Sequence, residues 1–244
     1  MPPPRLIPVL DVMNGVVVRA VGGRRDEYRP VVSKLTTSTD PLDVAKALIA
    51  ATGAEELYVA DLDAIRGTLA ISPAVDELSF RCECPIWLDL GVNRARGISV
   101  LAKARHIRPV VGLETAESPD VLVQAVAAIT APVAFSLDLR GGELLGEWKA
   151  WGAAHPRDAL GISRTAIQAG AKAIIALDLA RVGSGSGTGT EPLLRAIRAE
   201  FPTTDLIAGG GVRTWDDIDR LGEAGATGVL VASALHEGAL TPRS

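Results

Sequence analysis

The sequence predicts one (β/α)8 barrel, the TIM-barrel architecture, made of two duplicated half-barrels at about 5–130 and 131–240 within a single domain spanning 1–244. Three observations carry this expectation. Short apolar runs alternate with longer stretches of helical period, the signature of βα repeats on a parallel sheet. The length of 244 residues suits a single barrel of this kind. The third is an internal repeat: residues 7–15, IPVLDVMNG, match 134–142, AFSLDLRGG, and residues 57–61, LYVAD, match 174–178, IIALD. Leu90-Gly91-Val92-Asn93-Arg94 likewise matches Gly210-Gly211-Val212-Arg213-Thr214, and Val110-Val111-Gly112-Leu113 matches Leu230-Val231-Ala232-Ser233, all at offsets of 117–127 residues. Eight βα units also suit an open doubly wound sheet. Two four-stranded halves closing on each other leave no unpaired edge, however, and that favours the barrel.

In chain order, strands are expected near 5–11, 56–61, 85–89, 109–112, 132–138, 173–178, 204–208 and 227–231. Helix starts stand at Thr39-Asp40-Pro41, Ile71-Ser72-Pro73, Glu117-Ser118-Pro119 and Thr190-Glu191-Pro192. In the first three a residue able to cap precedes a proline suited to the first helical turn, and Glu191 is a weaker cap. Gly53, Gly170 and Gly225 fall where helices end, since glycine adopts the left-handed conformation without strain. In a barrel the active site lies at the C-terminal ends of the strands.

Composition narrows the functional classes. The net charge is −4 and aromatic residues make up 4%, so nothing resembles a basic, aromatic-interleaved nucleic-acid surface. No apolar run approaches the length of a membrane span, and the N-terminus MPPPRLIPVLD lacks a signal-peptide pattern; a cytoplasmic protein is expected, with no membrane partner. Cys82 and Cys84, two positions apart with no neighbouring histidine, read as ordinary thiols rather than a metal site.

The candidate chemistry begins with Asp11 and Asp138, each expected to end a strand at equivalent positions of the two halves. Two carboxyls across one mouth can divide acid and base work if their environments separate their pKa values. Each could instead hold its following turn through backbone amides. Asp61 and Asp178 form a second symmetric pair, suited to substrate hydroxyls or to bracing loops, and Asp63 with Arg66 suits an ion pair or a substrate contact.

A phosphate-type pattern follows in the last quarter: Ala208-Gly209-Gly210-Gly211 after the seventh strand, and Ala232-Ser233 opening a short helix through Leu235 and His236 after the eighth. Glycines let the backbone approach an anion, and helix N-termini offer unpaired amides. Barrels often bind phosphate in these two loops. In the first half the same places read Asp89-Leu90-Gly91 and Gly112-Leu113-Glu114, whose carboxylates oppose a phosphate. Cationic or hydroxyl-bearing groups suit them better. The loops at 22–29 and 183–189 are lid candidates. Of the histidines, only His236 lies near the expected site.

IPVLDVMNGVVVR, SLDLRGGELLGEW, AGGGVRTWDDI and GVLVASALHEG together resemble the histidine-biosynthesis barrel family, and within it the ProFAR isomerases more than the cyclase that follows. The resemblance implies an Amadori-type aminoaldose-to-aminoketose isomerisation, with Asp11 as base and Asp138 as acid. It implies a small phosphorylated substrate, phosphate held by Gly210, Gly211, Ala232 and Ser233, substrate contacts from Arg19 and Trp148, and no metal or organic cofactor. ProFAR isomerases normally carry a glycine triplet after strand 3 and Gly-Ser/Thr after strand 4, where this chain has Asp89-Leu90-Gly91 and Gly112-Leu113-Glu114. That departure resembles a related branch in methanogens and methylotrophs. It implies, alternatively, a paralogue using a mono-phosphorylated substrate in the synthesis of one-carbon carriers such as methanofuran or tetrahydromethanopterin. A non-catalytic phospho-ligand binding barrel is the competing class. The oligomeric state is not legible.

Overall fold

The computed structural model describes residues 2–68, 70–93, 98–99, 101, 106–155, 157–183 and 187–240. Eight parallel strands follow one another around a closed sheet: β1 (Arg5–Met13), β4 (Leu57–Asp61), β5 (Ile86–Asp89), β6 (Ile107–Gly112), β7 (Ala134–Arg140), β9 (Ala173–Asp178), β10 (Asp205–Gly209) and β11 (Gly228–Val231). Pairing of Arg5–Pro8 with Gly228–Val231 closes the ring. Closure leaves no barrel strand with a free edge.

Three short strands lie outside the ring. β2 (Val16–Arg19) folds back on β1 and pairs with β3 (Arg29–Pro30), and β8 (Glu143–Leu144) folds back on β7. The first and fifth barrel strands therefore do not end on Asp11 and Asp138; each runs two residues further into a hairpin. Both hairpin turns have two successive residues at positive φ, Asn14-Gly15 at 53° and 77° and Gly141-Gly142 at 62° and 80°. This is the type I′ geometry that matches strand twist and favours Asn-Gly and Gly-Gly. Asp63 fixes the first turn by accepting the Asn14 N–H at 2.7 Å.

Strand alternation sorts the apolar residues into two layers. Leu10, Val12, Val59, Leu88, Val111, Phe135, Ile174 and Leu206 face outward and are covered by α1 (Pro41–Thr52), α3 (Pro73–Arg81), α4 (Pro119–Ala128), α5 (Ala159–Gln168), α6 (Glu191–Glu200) and α7 (Trp215–Glu223). Ile7, Val9, Tyr58, Trp87, Val110, Ile175 and Ile207 fill the interior. Two single turns, α2 (Leu62–Ile65) and α8 (Ser233–His236), follow β4 and β11.

Of the expected helix caps, Asp40 behaves as anticipated, accepting from Leu42 and Asp43 N–H. Ser72 and Ser118 do not cap. Asp61 takes the Ser72 N–H at 2.6 Å instead, and the buried Ser72 hydroxyl has no partner among the described residues. Thr214 forms an unanticipated capping box with Asp217.

At the N-terminal rim of the barrel a polar plug seals the interior. Glu56, 5% exposed, accepts from Arg5 Nε at 2.7 Å and Trp87 Nε1 at 3.1 Å, and pairs with Arg108, which also lies over the Trp87 ring. Arg5 extends the network to Asp205 at 2.9 Å. Five strands contribute at or near their first residues, so this network braces the end of the barrel opposite the site. No helix of the described residues is long and apolar enough to cross a membrane.

Candidate active site

At the opposite rim the interior layer turns polar. Asp11 from β1, Asp89 from β5 and Asp138 from β7 occupy inward positions one layer above Val9, Trp87 and Ser136, and all three line one pocket. Ser136 Oγ donates to Asp138 Oδ1 at 2.8 Å, and the Glu114 N–H donates to Asp138 Oδ2 at 3.2 Å. Asp89 accepts the Gly91 N–H at 2.8 Å and a longer, weaker contact from the Tyr58 hydroxyl at 3.4 Å. The Asp11 carboxylate accepts no hydrogen bond among the described residues, leaving its oxygens available to a ligand.

Gly112 ends β6 between Asp89 and Asp138. A Cβ there would stand 3.2 Å from Asp138 Oδ2 and 3.7 Å from Asp89 Oδ2. Hydrogen in place of a side chain keeps the two carboxylates within reach of one small space.

Burial shifts the three together. It pushes the Asp11 carboxyl up to about 7, with Asp89 adding to the shift and Arg25 opposing it. Asp138 is also pushed up to about 7, by burial and then by the neighbouring charge of Asp89, against the hydrogen bonds of Ser136 and Glu114. Asp89 rises to about 6, its burial partly offset by the Gly91 N–H. Like charges in a poorly solvated mouth cannot all ionise near neutrality, and the protons belong to the set rather than to single residues. A set that titrates together near neutrality is suited to offer both a base and an acid. No cluster of described residues has the arrangement of a metal site.

The far side of the same pocket is built from glycine and small residues. Gly210, Gly211, Ala232, Ser233 and Arg213 line it. A Cβ on Gly211, whose φ is 81°, would come within 2.6 Å of the Gly187 carbonyl oxygen, so the loop admits only glycine. The N–H groups of Gly210, Gly211, Ser233 and Ala234 make no hydrogen bond within the described residues. Together they form a concave set of free donors of the kind that receives phosphate. Arg19 lines this side and pairs with Glu237 at 2.8 Å. His236 sits behind it, hydrogen-bonded to Ser33 at 3.0 Å, its pKa lowered by burial and by Arg19.

Two expected substrate residues stand elsewhere. Asp178 does not line the pocket: its carboxylate accepts from Gly141, Gly142 and Ala180 N–H at 2.9, 3.0 and 3.0 Å, clamping the β7–β8 turn. Asp61 is engaged similarly by Ala64 and Ser72. Trp148 packs against the outer core from a short 3-10 helix, Trp148–Trp151, and Asp63 braces the Asn14 turn rather than pairing with Arg66. The loop at 22–29 forms a strap: Arg25 crosses the mouth to Glu114 at 2.8 Å, and Tyr28, 7% exposed, turns into the pocket. Of the second lid candidate, residues 184–186 lie outside the described residues, as does Arg94. Sequence reasoning missed Tyr28 and Tyr58 as site residues. It read Asp89 as opposing phosphate and suiting cationic or hydroxyl-bearing groups, and did not place it in the carboxylate set, because strand alternation was not followed far enough to turn it inward beside Asp138.

The model of the family described as "Histidine biosynthesis protein" matches residues 5–241. A protein of Halobacterium salinarum named 1-(5-phosphoribosyl)-5-((5-phosphoribosylamino)methylideneamino)imidazole-4-carboxamide isomerase is 32% identical, covering 97% of this chain and 93% of its own. A protein of the same name from Acetivibrio thermocellus is 29% identical over 96% of this chain and 95% of its own. An uncharacterised protein of Methanocaldococcus jannaschii is 27% identical over 97% and 95%. The named relatives are isomerases aligned over nearly their full length, and this chain is an enzyme of that kind. By the match across almost all of its barrel, the chain belongs to the histidine biosynthesis protein family.

Proposed function

We propose that the pocket isomerises a phosphorylated aminoaldose to the corresponding aminoketose, with Asp138 as general acid and Asp11 as general base. The observation that carries the reading is the pairing, in one cleft, of two carboxyls raised to about 7 with a separate cup of free backbone amides. The cup would anchor the phosphate and fix the sugar between the aspartates, and such positioning is itself a large part of the rate.

The steps balance without a cofactor. Protonated Asp138 gives its proton to the ring oxygen; the C1–O bond breaks and the nitrogen lone pair forms a C1=N iminium. Ionised Asp11 removes the C2 proton, whose bonding electrons form C1=C2 while the C=N electrons return to nitrogen. The resulting enol loses its hydroxyl proton and gains a proton at C1, giving the ketone. The assignment of acid and base follows the resemblance of the motifs; the raised pKa values support either carboxyl in either role.

The test offers purified enzyme a panel of ribosylamine 5-phosphates that includes the relatives' substrate, with aldose-to-ketose conversion followed by carbon NMR. Conversion by the native chain, reduced by about 10²–10⁴-fold in Asp11→Asn and in Asp138→Asn, supports the mechanism. Conversion that persists undiminished in both variants refutes it. Rescue of a histidine auxotroph lacking the isomerase tells whether the cellular substrate is that of the named relatives.

A further inference from the structure

We infer that the substrate carries a single phosphate, and that its other end is a nitrogen-bearing cation received between Asp89, Glu114 and Tyr28. The inference rests on the reading of the pocket just given and specifies its substrate. The named relatives act, by their names, on a compound with two phosphoribosyl groups. A second phosphate in this chain would have to sit at the end of the pocket opposite Gly210 and Ser233, where β5 and β6 deliver their loops.

Three features of that end oppose an anion. The first is that three of the four amides matching the cup by the internal repeat, all but that of Leu90, are already engaged among the described residues. Gly91 N–H is held by Asp89 at 2.8 Å, Glu114 N–H by Asp138 at 3.2 Å, and Leu113 N–H by the Ser136 carbonyl at 2.9 Å. The corresponding donors at Gly210, Gly211, Ser233 and Ala234 are free. The second feature is charge: Asp89 and Glu114 line this end beside Asp11 and Asp138, and among the described residues the cation there, Arg25, is paired with Glu114 at 2.8 Å. A phosphate brings about −1.5 to −2 further charges, and even one unit charge about 4 Å from a carboxylate is strongly repelled in such a site. The third is an unsatisfied acceptor set: the Tyr28 hydroxyl, on a residue 7% exposed, has no hydrogen-bond partner among the described residues, and neither has the Asp11 carboxylate. Two oxygen groups without partners, set among the carboxylates of Asp89 and Glu114, suit an ammonium or amidinium, which brings several N–H groups and no acceptor.

The test is binding at pH 8 by calorimetry with three series of synthetic probes, each with three to eight methylenes: alkyl monophosphates, the same phosphates bearing a terminal amine, and the matching bisphosphates. At the best-fitting length the amine should improve affinity by about tenfold or more over the plain phosphate, and the second phosphate should improve it not at all. Asp89→Asn and Glu114→Gln should each reduce the amine advantage while leaving plain-phosphate affinity within about twofold. Bisphosphates that bind more tightly than the amines at any length overturn the inference. So does an amine advantage absent at every length, or one that survives both substitutions. Failure of inorganic phosphate and of every monophosphate to bind, or binding that survives Ser233→Asp, refutes instead the phosphate cup on which the proposed function stands.

Discussion

Replacing Asp138 with asparagine should separate stability from activity in a pH-dependent way. In the native chain this carboxyl is 7% exposed and its pKa is raised from 3.8 to about 7, chiefly by burial. A carboxyl whose folded pKa lies above its unfolded value binds its proton more tightly in the folded state, so stability is greatest below about 3.8 and falls as pH rises toward 7. Above that, keeping Asp138 ionised costs up to about 4 kcal/mol, at about 1.36 kcal/mol for every tenfold change in proton affinity. Asp89 shares this penalty, and water above the mouth screens part of it. A net gain of about 2 kcal/mol for Asp138→Asn at pH 9 is therefore expected, or about 4–8 °C in melting temperature for a chain of this length. At pH 4 the two proteins should melt together, because the native carboxyl is then neutral as well. Melting curves by circular dichroism from pH 4 to 9, on protein also assayed for turnover, check this. A difference independent of pH, or a variant less stable at pH 9, would show that the carboxyl is not strained by burial and would remove the basis for its role as an acid.

Other consequences are equally direct. Asp178→Ala leaves the Gly141, Gly142 and Ala180 amides without their acceptor and should destabilise the fold by about 2–4 kcal/mol in denaturant titrations, while KM of the folded fraction stays unchanged. Gly112→Ala sets a methyl 3.2 Å from Asp138 Oδ2; a displacement of a few tenths of an ångström should lower kcat by about tenfold with an unaltered circular dichroism spectrum. Glu56→Ala strips the carboxylate from Arg5, Arg108 and Trp87, and a loss of about 3–5 kcal/mol on chemical unfolding is expected without a change in the pH profile of turnover.

Much of the barrel was legible because its signals are local. The run AIIALD at 173–178 coincides with β9, and each of the other seven expected strands overlaps an observed one, since buried parallel strands read as short continuous apolar runs. Ser233 to His236 was also read as a short helix and is one. The hairpins β2, β3 and β8 were not foreseen. Asn14-Gly15 and Gly141-Gly142 carried the turn signal, but neither was read as closing a hairpin onto its barrel strand. Serines before proline were taken for caps, yet Ser72 gives up its N–H to Asp61, a tertiary contact that no local pattern contains. At the site, Asp11, Asp138, Gly210, Gly211, Ala232 and Ser233, read from the repeat and the glycine motif, line one pocket, as does Arg19, taken from the resemblance. Asp178 was read as suited to substrate hydroxyls or to bracing a loop, and the structure shows the bracing; Trp148, taken from the resemblance, packs against the outer core. The involvement of Asp89 depends on which way a strand residue faces and on Gly112 leaving space beside it, a relation across three strands.

The central claim is that buried carboxyls share the acid and base work, and the pH dependence of kcat/KM tests it most directly. With Asp11 needed ionised and Asp138 needed protonated, and both raised to about 7, a bell centred near pH 7 is expected, its two limbs belonging to the set of carboxyls. The alkaline limb should vanish, with activity much reduced, in Asp138→Asn. A native profile flat from pH 5 to 9, or one whose alkaline limb persists in that variant, would contradict it.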